Sequence, residues 1–335
     1  MSRSKITSSS IDASVGNSIV TKSSSDPTIT TNGSLGDVFL NTTSGEMFVC
    51  TDATNNANVW TNVGEGTGNI DPIIEAEILV QAGGAGGGYD DGGGGGAGGL
   101  CYISALTLTS GTSYSITVGG GGAGATSNSV DGSNGSNSSA FGITAIGGGG
   151  GASSASGEPS SGGCGGGARR LNNPNSTGAS ATQTDSGGAT GYGFAGGNAD
   201  GTNASGGGGG TSEAGNTDGQ KEGGDGRNYS SSFGTSVGAS GIFGGGGGAG
   251  NGGGSGQGGG GGGGTGAAGS NGTANTGGGG GAGSDGQIGG AGGSGAVIVK
   301  ILTSAYSGTT TGSPIVRTSG SYTILEYTST GSYTA

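Results

Sequence analysis

Histidine is absent from this sequence. That removes Ser–His–Asp and Cys–His activation of a nucleophile, and every metal site that relies on imidazole ligands. Cys50, Cys101 and Cys164 are far apart and form no Cys-x-x-Cys pair. They read as free thiols, with an interchain disulfide as the alternative. Tyr89-Asp90-Asp91 and Glu222-Gly223-Gly224-Asp225 are the acidic clusters. Carboxylate oxygens of this kind can ligate calcium, and solvated loop carboxylates are the plainer reading. Gly-x-Gly-x-x-Gly recurs, as it must with 96 glycines, but no amphipathic helix follows any copy. No glycine loop ends in Gly-Lys-Ser/Thr. No dinucleotide or P-loop site is therefore expected, and no cofactor. The expectation is a protein that is not an enzyme; a carboxylate pair for sugar hydrolysis is kept only as a distant alternative, since no pair stands out.

What remains is contact chemistry. Tyr89, Tyr192, Phe194, Tyr229 and Phe233 lie in glycine-flanked or polar spacers rather than in strand-like runs. Aromatic rings carried on loops are common binding residues and stack on sugars, while the alternative is that they plug gaps at the edge of a scaffold. Arg169-Arg170 can pair with anionic surface groups or stay solvated. With Asp90 and Asp91, these residues form the candidate receptor-contact set. The Asn-x-Ser/Thr sequons at Asn41, Asn134, Asn137 and Asn175 are what a Ser/Thr-rich chain contains by chance.

The elements that hold such loops have an unusual composition. The chain has 335 residues, 96 of them glycine, only 5 proline, and no Gly-X-Y period, which excludes collagen. Acidic residues outnumber basic ones 21 to 9, giving a net charge of -12, so nucleic acid is not an expected partner. No run of about 20 apolar residues is present to cross a membrane. No apolar h-region of a Sec signal is visible in the first thirty residues, which fits release by lysis, another secretion route or a trimmed sequence equally well.

Strands are expected at 37–41 and 46–50, joined by Thr42-Thr43-Ser44-Gly45, and around Trp60. Asn69-Ile70-Asp71-Pro72 reads as a joint. Further strands are expected at 76–82, 100–108, 114–118, 141–146 and 296–302. The first and last of these bracket the glycine-rich region, so its ends should meet in one sheet. Glycine runs occupy 92–96, 147–151, 206–210, 244–248, 258–264 and 277–281. Such runs are either flexible linkers or polyglycine-II helices that bond one another through the backbone. Recurrence at similar length between flanking strands favours the lattice. Spacers such as 153–161, 168–186, 211–220 and 228–240 carry Pro, Asn, Ser and Asp and should turn the chain. The fold class expected is all-β, with short antiparallel strands plus packed polyglycine-II helices in an elongated fibre. Its parts are a 1–72 attachment or oligomerisation module, a 75–303 glycine-rich domain and a 304–335 hairpin or added edge.

Ala76 to Gly88, Leu106 to Gly119, Gly135 to Gly142 with Ile146 to Gly151, and Gly293 to Val299 together resemble the glycine-rich domain of bacteriophage tail-fibre and adhesin proteins, especially of marine phages. Leu35 to Cys50 with Trp60 looks like a short module near the start of such fibres. The resemblance implies a virion appendage, often trimeric. Its partners would be other virion tail or fibre proteins and a host surface glycan or outer-membrane protein. The alternative is a cell-made extracellular filament that polymerises by strand addition, with the C-terminal segment as donated edge.

Overall fold

The computed structural model describes residues 20–64, 74–155, 157–170, 176–200, 204–257 and 259–335. The chain divides into two units, Met1–Pro72 and Ile73–Ala335. The expected joint at Asn69 to Pro72 lies outside the described residues.

The first unit is one sheet of β1 (Val20–Ser23), β2 (Val38–Asn41), β3 (Met47–Asp52) and β4 (Val59–Gly64), in that order. β1 runs parallel to β2, and the other pairs are antiparallel. Trp60 anchors it: its ring meets Phe39 edge-on at 5.6 Å, and its indole N–H donates to the Thr31 carbonyl at 3.0 Å. A Cβ on Gly33 would stand 2.6 Å from that indole, so the Thr31–Gly33 turn closes only over glycine.

The second unit contains β5 (Ile74–Gln81), β6 (Leu100–Leu108), β7 (Ser113–Thr117), β8 (Ser138–Ala140), β9 (Ile143–Ala145), β10 (Thr190–Tyr192), β11 (Arg227–Asn228), β12 (Ile242–Phe243), β13 (Ala296–Leu302), β14 (Thr310–Thr311), β15 (Ile315–Ser319), β16 (Tyr322–Tyr327) and β17 (Gly331–Thr334). Its larger sheets have orders β10-β6-β5-β13-β16-β15 and β14-β17-β7-β8-β9. The protein is all-β, with antiparallel sheets and no barrel. The strands that bracket the glycine-rich region pair directly, Gln81 opposite Ala296 and Ala76 opposite Ile301. Residues 304–335 supply β14 to β17, which join both sheets. The single strand expected at 141–146 is instead the β8–β9 hairpin. Phe141 and Gly142 have φ of 54° and 79°, the left-handed pair that a two-residue turn requires.

Alternate residues of β5 explain both layers. Ile74, Ala76, Ile78 and Val80 face Ile116, Ile143, Leu325 and Tyr333 in one buried cluster between the two sheets. Leu79 points the other way, into a second cluster with Leu100, Ile298 and Ile324 that is closed by Tyr229, Phe233, Val237 and Phe243. Full burial of such side chains contributes about 1.5–3 kcal/mol each.

Beyond the sheets the runs 82–88 and 93–99 bond their neighbours with the three-residue period of a polyglycine-II helix. With three residues per turn, successive N–H groups point in three directions. The run 82–88 follows that rule: Ala82, Ala85 and Gly88 donate to Gly99, Gly96 and Gly93; Gly83 and Gly86 donate to Ser136 and Ser133; Gly84 and Gly87 donate to Gly293 and Gly290. Its carbonyls accept in three further directions, from Gly122 and Ala125, from Gly148 and Gly151, and from Gly280 and Gly283. The run 93–99 likewise donates toward Ala152, Gly206 and Gly280 and accepts from Gly167 and Gly247 as well as Ala85. Each of these runs is thus hydrogen-bonded toward several neighbouring helices at once. A Cβ on Gly94 would lie 1.9 Å from the Gly247 oxygen, and one on Gly208 would lie 2.0 Å from the Gly95 oxygen. Only glycine allows this approach. Backbone groups that a linker would leave to water are paired here within the protein.

Candidate functional site: the loop end of the glycine lattice

The run 82–88 rises away from the sheets, reverses at Tyr89-Asp90-Asp91, and returns as 93–99. Asp90 and Asp91 both take the left-handed conformation, φ 53° and 57°, which carboxylate side chains tolerate better than most. The tip is tied to its neighbours. Asp90 accepts the Gly286 N–H at 2.7 Å and the Ser154 hydroxyl at 3.0 Å. The Tyr89 hydroxyl donates to the Gly286 carbonyl, and its backbone N–H donates to Ser153 Oγ at 2.9 Å. The Ser154 hydroxyl also lies 2.8 Å from Asn128 Oδ1, and Asp131 accepts the Ser153 N–H at 2.7 Å.

Arg169 and Arg170 come to the same end. Arg170 pairs with Asp91, whose second carboxylate oxygen Oδ1 is buried without a hydrogen-bond partner. Arg169 reaches Glu158 at 3.3 Å, with the arginine side chain 12% exposed and the glutamate 73%. Its Nε and Nη1 atoms are buried and have no acceptor. Candidate residues spread over 82 positions of sequence, from Tyr89 to Arg170, therefore share one loop cluster. Sequence reasoning missed Asn128, Ser154, Glu158 and Gly286. Their signal was that each follows or interrupts a glycine run, and runs of like direction deliver their turns to one end.

The remaining candidates lie elsewhere. Tyr192 ends β10, with the Arg227 guanidinium 3.7 Å above its ring centroid. Phe194 is 38% exposed. The expectation that Tyr229 and Phe233 are displayed on loops is corrected: they are 8% and 2% exposed. Their rings lie 4.6 Å and 6.4 Å from that of Tyr102. The polar spacer 228–240 folds over the outer face of the larger sheet because Leu79, Leu100, Ile298 and Ile324 otherwise meet water. Burial pushes the Tyr229 hydroxyl pKa upward, with the neighbouring phenol of Tyr192 adding to it.

Asp225 of the second acidic cluster meets Glu213 and Asp218 rather than Glu222, with oxygens within 4.8 Å of one another. Partial burial first, then the charges of Asp218 and Asp225, raises the Glu213 pKa. Asp225 already accepts the Gln257 N–H at 2.7 Å and its side-chain amide at 3.0 Å. Cys50, Cys101 and Cys164 are buried free thiols. The sequon residues Asn134 and Asn137 use their side-chain oxygens to accept the Gly150 and Gly147 N–H groups, and so belong to the lattice. Among the described residues no helix is long and apolar enough to cross a membrane.

No curated protein matches this sequence. A family model, described as a glycine-rich domain, matches residues 61–302, which is more than half of the chain and spans the lattice and the strands that bracket it. The chain belongs to the glycine-rich domain family.

Proposed function

We propose that this protein is a non-enzymatic structural component of a bacteriophage tail fibre or similar virion appendage, and that the loop end of its glycine lattice contacts the host cell surface. The observation that carries the reading is the loop cluster itself. Tyr89, Asp90, Asp91, Arg169 and Arg170 converge at one end of a body whose backbone groups bond one another in many directions. A rigid scaffold that holds variable polar loops is suited to recognition, because little loop entropy is lost on binding. The partner of this end is a host surface glycan or outer-membrane protein, and affinity comes from many weak contacts multiplied in a homo-oligomer, with a trimer as the favoured state. Residues 1–72 then serve attachment to other virion proteins.

Immunogold electron microscopy of a lysate, with an antibody to residues 1–72, tests the reading. Gold on phage tails or capsids is expected; gold along free filaments overturns it. Purified protein should also compete with phage for adsorption, and an Asp91→Ala/Arg170→Ala variant should compete less.

A second reading, a filament built by strand addition, draws on β15. It is an edge strand with Ile315 46% and Val316 50% exposed. Exposed apolar edges template pairing with another chain. Concentration-dependent fibres from purified protein would favour it, and a discrete oligomer counts against it.

A further inference from the structure

The outer face of the larger sheet is only partly covered. The 227–243 segment closes over Leu79 and Ile298, and beyond it Glu75, Glu77, Ser104, Lys300, Leu302 and Tyr322 line a cavity of about 160 Å³. Strand register brings them together: Glu77 faces Lys300 across β5 and β13, and Leu302 faces Tyr322 across β13 and β16. The β5–β6 pairing slips between Ala76 and Ile78, a bulge at the position of Glu77. Ser104 stands two residues beyond Tyr102 on β6, so the alternation of the strand places it on the face that Glu77 occupies.

We propose that this cavity binds one neutral hexopyranose unit. Its size suits a single ring, since pockets for larger ligands run to about 300–1,000 Å³. The floor is an ion pair, Lys300 to Glu77 at 2.8 Å, with side chains 18% and 15% exposed, and Tyr102 donates to the same carboxylate at 2.7 Å. Glu77 also accepts from Ser232, so its carboxylate keeps one acceptor position for a sugar hydroxyl, and Lys300 and Ser104 offer donors. Partial burial strengthens such charge-assisted bonds. The walls are Tyr322, 41% exposed, and Leu302, 45% exposed. Lys300 Nζ lies over one face of the Tyr322 ring, 4.8 Å from its centroid, so the apolar shelf for the C–H face of a sugar is Leu302 with the ring surface that the ammonium leaves uncovered. Glu77 and Lys300 neutralise each other and the exposed Glu75 leaves one negative charge, so phosphorylated, sialylated and uronic units are repelled. This site lies on the sheet, apart from the loop cluster, and stands whether or not that cluster binds a host.

The test is saturation-transfer NMR on the full chain with methyl α-D-glucopyranoside, methyl α-D-mannopyranoside, methyl β-D-galactopyranoside and N-acetylneuraminic acid. At least one neutral glycoside should show saturation of its ring protons, with Kd on the order of 1–10 mM for so small a contact. Tyr322→Ala should weaken binding at least tenfold. Leu302→Trp, which fills the cavity and leaves the ion pair intact, should do the same, and Met47→Ala, at an exposed position of the first unit, should leave it unchanged. Transfer to none of the neutral glycosides overturns the proposal. Binding that survives both cavity variants, or equal binding of N-acetylneuraminic acid, overturns it too. Both cavity variants change exposed side chains, and circular dichroism checks that each keeps its sheets.

Discussion

Asp91 and Arg170 form an ion pair although 79 residues separate them along the chain. The pair links the first glycine turn to the end of a later run. Arg170 is 39% exposed, so the pair is worth little in isolation. A double-mutant cycle with Asp91→Asn and Arg170→Ala should give a coupling of about 0.5–1 kcal/mol, read by urea unfolding, and raised salt should shrink it.

Lattice positions should differ sharply in their tolerance of a methyl group. Gly94→Ala sets a Cβ 1.9 Å from a carbonyl oxygen, whereas Gly120 has nothing within 4 Å. The first substitution should cost about 3 kcal/mol or more and the second should stay within about 0.5 kcal/mol. Thermal unfolding of both variants measures the contrast, and equal melting temperatures would mean that the glycine runs do not pack.

Phe233→Ala should destabilise the second unit by about 3–5 kcal/mol, because Phe233 fills the space over Leu79 and Ile298. Phe194→Ala, at a 38% exposed position, should cost under about 1 kcal/mol. Denaturant midpoints report both. If Phe233→Ala abolishes adsorption with its stability intact, a surface role for that ring returns.

Cys101 and Cys164 should resist alkylation in the folded protein. Burial pushes both thiols up to about 12, with the charge of Asp185 adding to the effect at Cys101. Thiolate is the reactive form, so labelling at pH 8 should proceed only after denaturant is added. The raised values favour the folded state below the ordinary thiol range, and that contribution is lost as pH rises toward about 12.

Acid should act through Glu77. Burial pulls its pKa up, but hydrogen bonds from Lys300, Tyr102 and Ser232 and the lysine charge outweigh this and hold it below the ordinary carboxylate value. A depressed value contributes stability above the ordinary carboxylate pKa, and that contribution is lost as pH falls through the folded value. The stability difference between wild type and Glu77→Gln should therefore be largest near pH 7 and shrink below about pH 4, as urea titrations at each pH would show.

The local elements were written in the sequence. The β-branched runs at 76–82 and 296–302 specify strands that water disfavours leaving exposed, and their pairing followed from where they bracket the glycine runs. The absence of histidine and the glycine content set the chemistry that is excluded. Tyr229 and Phe233 were illegible, since a polar spacer with no period of 2 or 3.6 carries no mark of the sheet that it covers. Phe141 was likewise hidden, because its left-handed turn depends on β8 and β9 pairing. The loop cluster and the sheet-face cavity belong wholly to the tertiary structure. Glycine helices bond through identical backbone groups, so nothing in their sequence labels which helix is whose neighbour. The strands at the base, and the side chains that cap each turn, decide which runs lie together and which distant residues their turns bring into contact.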